Sequence, residues 1–530
     1  MKSRSKKSAA IASGHPETTA AAKVILEAGG NAYDAVMAAM AAACVAEPVL
    51  ASMGGGGFLL VKPANGRAGV YDFFAHTPLR SPSRYDNPSD CDFRSVTCDF
   101  GTAQQEFKIG MGAIATPGVI KGLFEVSQDL GRMPIKRVLE PALALARDGV
   151  TVNDFQAYVM QVVGGILTST PASRALYTAP DDADAPNRLL REGETFYNPD
   201  FADALDTMSI EGPNLFYRGE IGRQIAEDSR GNGGTLTRAD LEKYELIRRH
   251  PLVRDYKGRT VLTNPPPSTG GILIGFALAM LENIDFSRMT FGSVEHLNLL
   301  ARCMELTDHA RIERALHQVD EREIEQTLFE PELLDVYQRL VLGQPLSPRG
   351  TTHISVIDHD GNAAALSVSN GEGAGYIVPG TGIMLNNMLG EADINPHGFH
   401  QWPAGVRMSS MMAPSIVLGH EGDIVALGSG GANRIRTAIF QVLLNLVEFD
   451  MPLDQAIGSP RIHLEHAKLD VEHGFDPDLC GQFAAPFTDP RLWTGKNMFF
   501  GGVHGVQMDA ARKTFRAAGD PRRGGSAEIL

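Results

Sequence analysis

Three short segments carry residues able to do chemistry. The first is Gly350-Thr351-Thr352-His353, where a proline- and glycine-rich stretch gives way to an alternating one. A threonine hydroxyl becomes a useful nucleophile only beside a base, and a Thr-Thr pair by itself equally suits a plain strand. The second is Gly428-Ser429-Gly430-Gly431-Ala432-Asn433-Arg434, after an apolar run and before a helical pattern. A glycine pair at a helix N-terminus can aim backbone N–H groups outward and hold the oxyanion of a tetrahedral intermediate. A simple strand-to-helix turn would need the same glycines. The third segment is Arg407-Met408-Ser409-Ser410. Neither G-x-G-x-x-G nor G-x-x-x-x-G-K-[ST] is present, which disfavours nucleotide binding.

The elements that must position these residues follow from periodicity and punctuation. Residues 16–30 read as a helix opened by Pro16 and stopped by Gly29-Gly30, and Asn31 can cap a second helix to about Ala46. Residues 58–62 and 69–74 read as strands joined across Asn65-Gly66. Residues 117–345 read as mostly helical, with examples at Val119–Leu130, Ile135–Asp148, 240–245, 294–315 and 331–342. Residues 265–271 form a loop leading into a helix, and the Pro/Gly-rich residues 344–350 an exposed extended segment. Beyond that point strands are expected at 354–358, 362–369, 383–388, Ser415–Leu418 and 424–427, then a helix at about 435–449. The picture is a helix-rich region before Thr351 and a strand-rich region after it.

Bulk properties set the bounds. The 530 residues are 43% apolar and 21% charged, enough to bury a large core. No linker-like stretch and no repeat divides the chain, so one large unit or two tightly packed halves are expected. The net charge of −15 argues against nucleic acid and anionic membrane as partners. Five scattered cysteines form no C-x-x-C pair. The basic start lacks an apolar core of signal-peptide length, and no run is long enough to span a membrane. These features lead to the expectation of a cytoplasmic protein.

The ordered motifs resemble the γ-glutamyltranspeptidase family. Thr351 to Asp358, then Asp360-Gly361-Asn362-Ala363, looks like the start of that family's small subunit. His15-Pro16 through Glu47-Pro48, Gly29-Gly30-Asn31-Ala32, Gly54 to Phe58, Leu385-Asn386-Asn387, Ser409-Ser410, Gly428 to Arg434 and Asp520-Pro521-Arg522 are similar in order along nearly the whole chain. The resemblance implies an α/β N-terminal-nucleophile hydrolase with a four-layer αββα sandwich. It implies self-cleavage between Gly350 and Thr351, giving a large chain (1–350) and a small one (351–530) that intertwine. The freed α-amine of Thr351, with an ordinary pKa near 8, would then serve as base for the Thr351 hydroxyl.

By the same resemblance, Gly430 and Gly431 match the oxyanion glycines, and Ser409 and Ser410 the serine pair that contacts the donor carboxylate. Ser369 matches a hydroxyl beside the nucleophile, Thr352 helps hold the nucleophile, and His353 is structural. Asn387 and Glu391 fall in the donor-binding segment. The expected partners are a small amide or γ-glutamyl-type substrate and a water or amine acceptor, with no cofactor and no metal. The processed heterodimer could pair further.

The pattern departs from the family where glutamate would be recognised. The usual Asp-Phe-Arg reads Asp72-Phe73-Phe74, so the carboxylate-binding guanidinium is replaced by Phe74. The positions expected to hold the donor amine are Met388 and Glu391, an asparagine position is Gly371, and the 391–409 segment is short. A non-γ-glutamyl amide, of the kind taken by oxamate amidohydrolases or cephalosporin acylases, is one reading. Replacement of the arginine by Arg80, Arg407 or Arg434 from another direction is the other. A non-catalytic binding paralogue also stays open. A metal-dependent hydrolase using His397 with His400, His463 with His466 or His309 with His317 matches no recognised ligand set.

Overall fold

Alternation along the strand that begins after Thr351 explains the architecture. In the computed structural model the described residues are 8–80, 90–99, 104–179, 188–313, 351–395, 398–431, 433–465 and 468–530. In strand Thr352–Ile357, Ile354 and Val356 join the core beneath one layer of helices, while Ile357 joins a second core on the opposite face. Strand Ala363–Ser369 repeats this, with Ala364, Leu366 and Val368 on the helix side and Ala363 and Ala365 on the other. Side chains two apart share a face, so both sides of this sheet are buried; the inter-sheet side also carries His353, Ser355 and Ser367, which hydrogen-bond one another.

Two sheets result. The first runs Ser526–Ile529, Ala10–Ser13, Thr352–Ile357, Ala363–Ser369, Gly56–Lys62, Gly69–Phe73, Ile247–Arg249, with every neighbour antiparallel. The second runs Thr514–Ala518, Gly502–Asp509, Ile424–Gly430, Ser415–Leu418, Arg259–Thr263, Leu252–Tyr256, also antiparallel throughout. The sheets face each other. Helices Pro16–Glu27, Ala32–Ala46 and Val119–Leu130 cover the first, and Thr269–Leu281 and Asn433–Val447 cover the second. This is the four-layer αββα sandwich.

Helix Ala32–Ala46 shows why the layers lie so close. All fifteen of its residues are buried, and it is apolar around its whole circumference, as a helix enclosed on every side must be. Its start is fixed by a capping box between Asn31 and Asp34. Asn31 also donates to the carbonyl of Leu130 at 2.7 Å, tying this helix to the end of Val119–Leu130.

Several expectations need correction. The stretch read as mostly helical also holds strands Ile247–Arg249 and Leu252–Tyr256, at the edges of the two sheets, and Arg259–Thr263, next inward in the second. Leu252–Tyr256 and Arg259–Thr263 form a hairpin, and Ile247–Arg249 and Arg259–Thr263 pair with the distant strands Gly69–Phe73 and Ser415–Leu418, which overrides a local pattern. The strand expected at 383–388 is only Ile383–Met384, because the Asn386 side chain draws the backbone aside through bonds to Gly54, Ala115 and Met388. The strand expected at 424–427 runs on to Gly430, since Gly428, Ser429 and Gly430 still pair with His504, Val503 and Gly502. The helix expected at 331–342 and the extended segment expected at 344–350 lie outside the described residues.

Candidate active site

Thr351 lies at the mouth of the inter-sheet space, buried, just ahead of its strand. Its carbonyl oxygen points at Gly430, the last residue of the facing strand. A Cβ on Gly430 would lie 1.5 Å from that oxygen, so only glycine fits. The next residue, Gly431, has φ +124°, a left-handed conformation that favours glycine, and helix Asn433–Val447 opens two residues later. The glycine pair thus joins a strand end to a helix start directly opposite Thr351.

A cleft of about 350 Å³, open in part to solvent, adjoins Thr351. Polar groups on it are Thr351, Ser369, Ser410, Glu391 and Asp393. Its remaining wall is apolar: Phe74, Met388, Met411, Met412, Ile394 and Ile435. Among the described residues no lysine or arginine lines it.

Each wall is pegged in place. The Ser369 hydroxyl accepts the N–H of Gly371 at 3.0 Å, and the Ser410 hydroxyl accepts that of Met412 at 3.1 Å. The loop before helix Thr269–Leu281 holds the 410–412 segment: Asn264 and Ser268 donate to the Met412 carbonyl at 3.0 and 2.7 Å, and the Thr269 N–H to Ser410. Asn395 donates to the carbonyls of Met388 and Glu391 at 2.9 and 2.7 Å, fixing two short 3-10 turns. A Cβ on Gly371, where φ is +62°, would lie 2.2 Å from Asn387 Oδ1 and 2.3 Å from Glu391 Oε1. The bare glycine leaves room for the Glu391 carboxylate.

The other expected residues divide. Asn387 braces the wall rather than lining the cleft: its Oδ1 accepts the N–H of Glu372 at 2.8 Å and its Nδ2 donates to Lys108 at 3.2 Å. Ser409 is half-buried and does not line the cleft, while its neighbour Ser410 does. Alternation along an extended segment turns the two apart. The Thr352 side chain faces the helix layer, where its hydroxyl donates to Glu47 at 2.7 Å. His353 is buried between Ser367 and Ser355, both at 2.9 Å, and desolvation drives its pKa well below the usual imidazole value. It is held neutral away from the cleft. Gly350 lies outside the described residues.

None of the three candidate arginines reaches the cleft. Arg407 is buried beneath Phe74, with its guanidinium on the Phe74 carbonyl, the Tyr244 hydroxyl and Asp72. Arg434 stacks on Phe499 at 4.4 Å and donates to its carbonyl at 2.6 Å. Arg80 is half-buried elsewhere. Phe74 itself stacks on Phe58 with ring centroids 5.3 Å apart, so its ring belongs to the inter-sheet core as well as to the cleft. Sequence reasoning gave no role to Asp393, Met411, Met412 and Ile435, because their convergence is tertiary. Glu47, which accepts the Thr352 hydroxyl, and Arg523, which donates to the Thr351 carbonyl, lie in or beside motifs of the resemblance but carried no role.

Comparison with known proteins agrees with this geometry. The sequence profile described as Gamma-glutamyltranspeptidase matches residues 18–530. The glutathione hydrolase proenzyme of Escherichia coli (strain K12) is 30% identical over 490 residues, 86% of this chain and 81% of that protein. The acylase ACY 1 proenzyme of Pseudomonas sp. (strain SE83) is 30% identical over 532 residues, 96% of this chain and 92% of that protein. In fold, cephalosporin acylase from Bacillus halodurans superposes with a TM-score of 0.81 at 22% identity, covering 98% of this chain and 96% of that one. A four-layer fold, a threonine facing a glycine pair and a match over nearly the full length converge: this chain belongs to the γ-glutamyltranspeptidase family of N-terminal-nucleophile hydrolases and is a hydrolytic enzyme.

Proposed function

We propose that the chain cuts itself between Gly350 and Thr351, and that the mature enzyme hydrolyses, or transfers the acyl group of, an amide that is not a standard γ-glutamyl compound. The observation carrying this reading is the cleft. It joins Thr351 to a wall of Phe74, three methionines and two isoleucines, with no described cation to pair with a donor carboxylate. A site lacking that cation binds a charged donor poorly.

The reaction follows from the groups around Thr351. Its Oγ bonds to the amide carbonyl carbon while its proton passes to the freed α-amine. Backbone N–H groups of Gly430 and Gly431 are assigned to the oxyanion. The C–N bond then breaks, the leaving nitrogen takes the proton, and an ester on Thr351 remains. Water, or an amine, attacks that ester, restores the hydroxyl and releases the acid or a new amide. Ser369 and Ser410 are assigned to orienting the acyl group. The carboxylates of Glu391 and Asp393 suit a donor carrying an amine. That the relatives include proteins named as proenzymes and as an acylase supports both maturation and the acylase-type substrate.

Two measurements test this. On a denaturing gel the 57.0 kDa chain should appear as bands of about 38 and about 19 kDa. The Thr351→Ala variant should remain one band and be inactive. In a substrate comparison, simple apolar acyl amides should be turned over faster than a γ-glutamyl anilide. Robust turnover of the γ-glutamyl anilide would overturn the substrate assignment and leave the self-cleavage assignment standing.

A further inference from the structure

Two buried charged side chains hold Thr351 and Thr352 from different elements, Arg523 by the Thr351 carbonyl and Glu47 by the Thr352 hydroxyl. Glu47 caps the C-terminus of helix Ala32–Ala46. Its Oε2 accepts the Thr352 hydroxyl at 2.7 Å and its Oε1 the Thr18 hydroxyl at 2.9 Å. Arg523 lies in the short turn Pro521–Arg523 near the C-terminus and donates from Nη1 to the Thr351 carbonyl at 3.0 Å. Missing side chains make the room. A Cβ on Gly14 would stand 2.3 Å from Glu47 Oε2, one on Gly502 2.4 Å from Arg523 Cδ, and one on Gly430 3.0 Å from Arg523 Nη1. Three glycines from three segments keep these two side chains in place.

Both charges are held at a cost that burial imposes. Desolvation pulls Arg523 down to about 10, against the attraction of Glu372, Asp520 and Glu47. Desolvation pushes Glu47 up to about 7, against its hydrogen bonds from Thr352 and Thr18 and the pull of Arg523. Two opposite charges buried near one another are weak evidence for stability alone. Its place, against the carbonyl of the nucleophile, points to the reaction.

The α-amine freed by cleavage would sit on the same residue as the carbonyl that Arg523 holds, within roughly 6 Å of the guanidinium. A fixed cation at that range disfavours an ammonium and so favours the neutral amine, the form that can take the hydroxyl proton. Among the described residues, the other charged groups around Thr351 are Glu391 and Asp393 on the cleft, Glu372 and Asp520 around Arg523, and the Arg461 and Arg522 guanidiniums, which are paired with Asp520. His353 is neutral, and the facing strand Ile424–Gly430 carries no titratable side chain. The carboxylates alone would stabilise the ammonium.

We propose that Arg523 is a positioning residue that holds Thr351 by its carbonyl and keeps the freed α-amine neutral, with Glu47, acting through Thr352, as its counterweight. This rests on Thr351 being the nucleophile. The test is the pH profile of kcat/KM for a chromogenic acyl anilide on the processed enzyme, whose acidic limb reports the amine. Arg523→Gln should move that limb to higher pH by about one unit, and Arg523→Lys should restore it. Glu47→Gln should move it to lower pH.

A lowered kcat with an unmoved limb in Arg523→Gln would overturn the proposal, because a purely structural role predicts that outcome. So would Arg523→Lys behaving like the glutamine variant. If Arg523→Gln is not processed, Glu47→Gln decides, and an unmoved or upward limb there overturns the proposal. Thr351→Ala is measured alongside. Retained activity in that variant sinks the nucleophile assignment itself, whereas its inactivity beside unmoved limbs sinks only the role of Arg523.

Discussion

Gly430 is the residue on which the site geometry depends most directly. The Thr351 carbonyl occupies the space that any side chain there would need. Gly430→Ala must push apart the two facing strands or shift Thr351, and both outcomes remove catalysis. Its expected signature is a single unprocessed band with a lowered melting temperature, read by gel and by calorimetry. Overpacking at such a site costs about 1–3 kcal/mol. Glu47 gives a second residue-scale prediction. Its pKa is raised by burial from 4.5 to about 7, so the folded state binds its proton more tightly than the unfolded chain does. The stability this contributes is fully present below about pH 4.5 and is lost as pH rises through about 7. It is worth on the order of 3 kcal/mol. Glu47→Gln lacks this titration, so the difference in melting temperature between wild type and variant should drift against wild type between pH 5 and pH 8. A constant difference across that range would refute it.

At the scale of elements, the cleft wall hangs on few hydrogen bonds. Asn395 holds both 3-10 turns that present Met388, Glu391, Asp393 and Ile394. Asn395→Ala should therefore raise KM several-fold while kcat changes little, measured by steady-state kinetics, because it loosens binding groups and leaves Thr351 untouched. Asn31 serves a different purpose, capping helix Ala32–Ala46 and bonding Leu130. Asn31→Ala should cost about 1–2 kcal/mol in denaturant unfolding without altering KM. The contrast follows from position, since Asn395 braces the cleft wall whereas Asn31 secures the helix layer.

For the molecule as a whole, the order of the first sheet matters most. Thr352–Ile357 lies between Ala10–Ser13 and Ala363–Ser369, and Ala363–Ser369 pairs in turn with Gly56–Lys62. Strands from before and after Thr351 are interleaved in one hydrogen-bonded sheet, and the second sheet mixes them again at Ser415–Leu418 with Arg259–Thr263. Cleavage before Thr351 would leave these ladders intact. The two chains should co-elute in native size-exclusion chromatography and separate only in denaturant. Separation under native conditions would contradict this sheet order as the basis of their association.

Much of the architecture was legible from local signals. The Pro16 start, the Asn31 cap and the apolar periodicity located helices Pro16–Glu27 and Ala32–Ala46 closely. Alternation after Thr351 located its strand and the next, and the Gly430-Gly431 pair marked a real strand-to-helix junction. Motif order was enough to indicate the family, and Phe74 was visible as a departure from its pattern. Short edge strands such as Ile247–Arg249 were not legible, because their partners are distant in sequence and their own residues carry little pattern.

What the sequence determined by itself was the set of chemical types and their order, since turn, cap and period signals act over a few residues. What only the tertiary structure decided was which groups meet. It turned Ser410 to the cleft and left Ser409 off it, spent Asn387 on the backbone, and committed Arg407 beneath Phe74 instead of beside a substrate. It also brought Glu47 and Arg523, 476 residues apart, to the Thr352 hydroxyl and the Thr351 carbonyl. Contacts of that range depend on sheet register and layer packing, which no local pattern encodes.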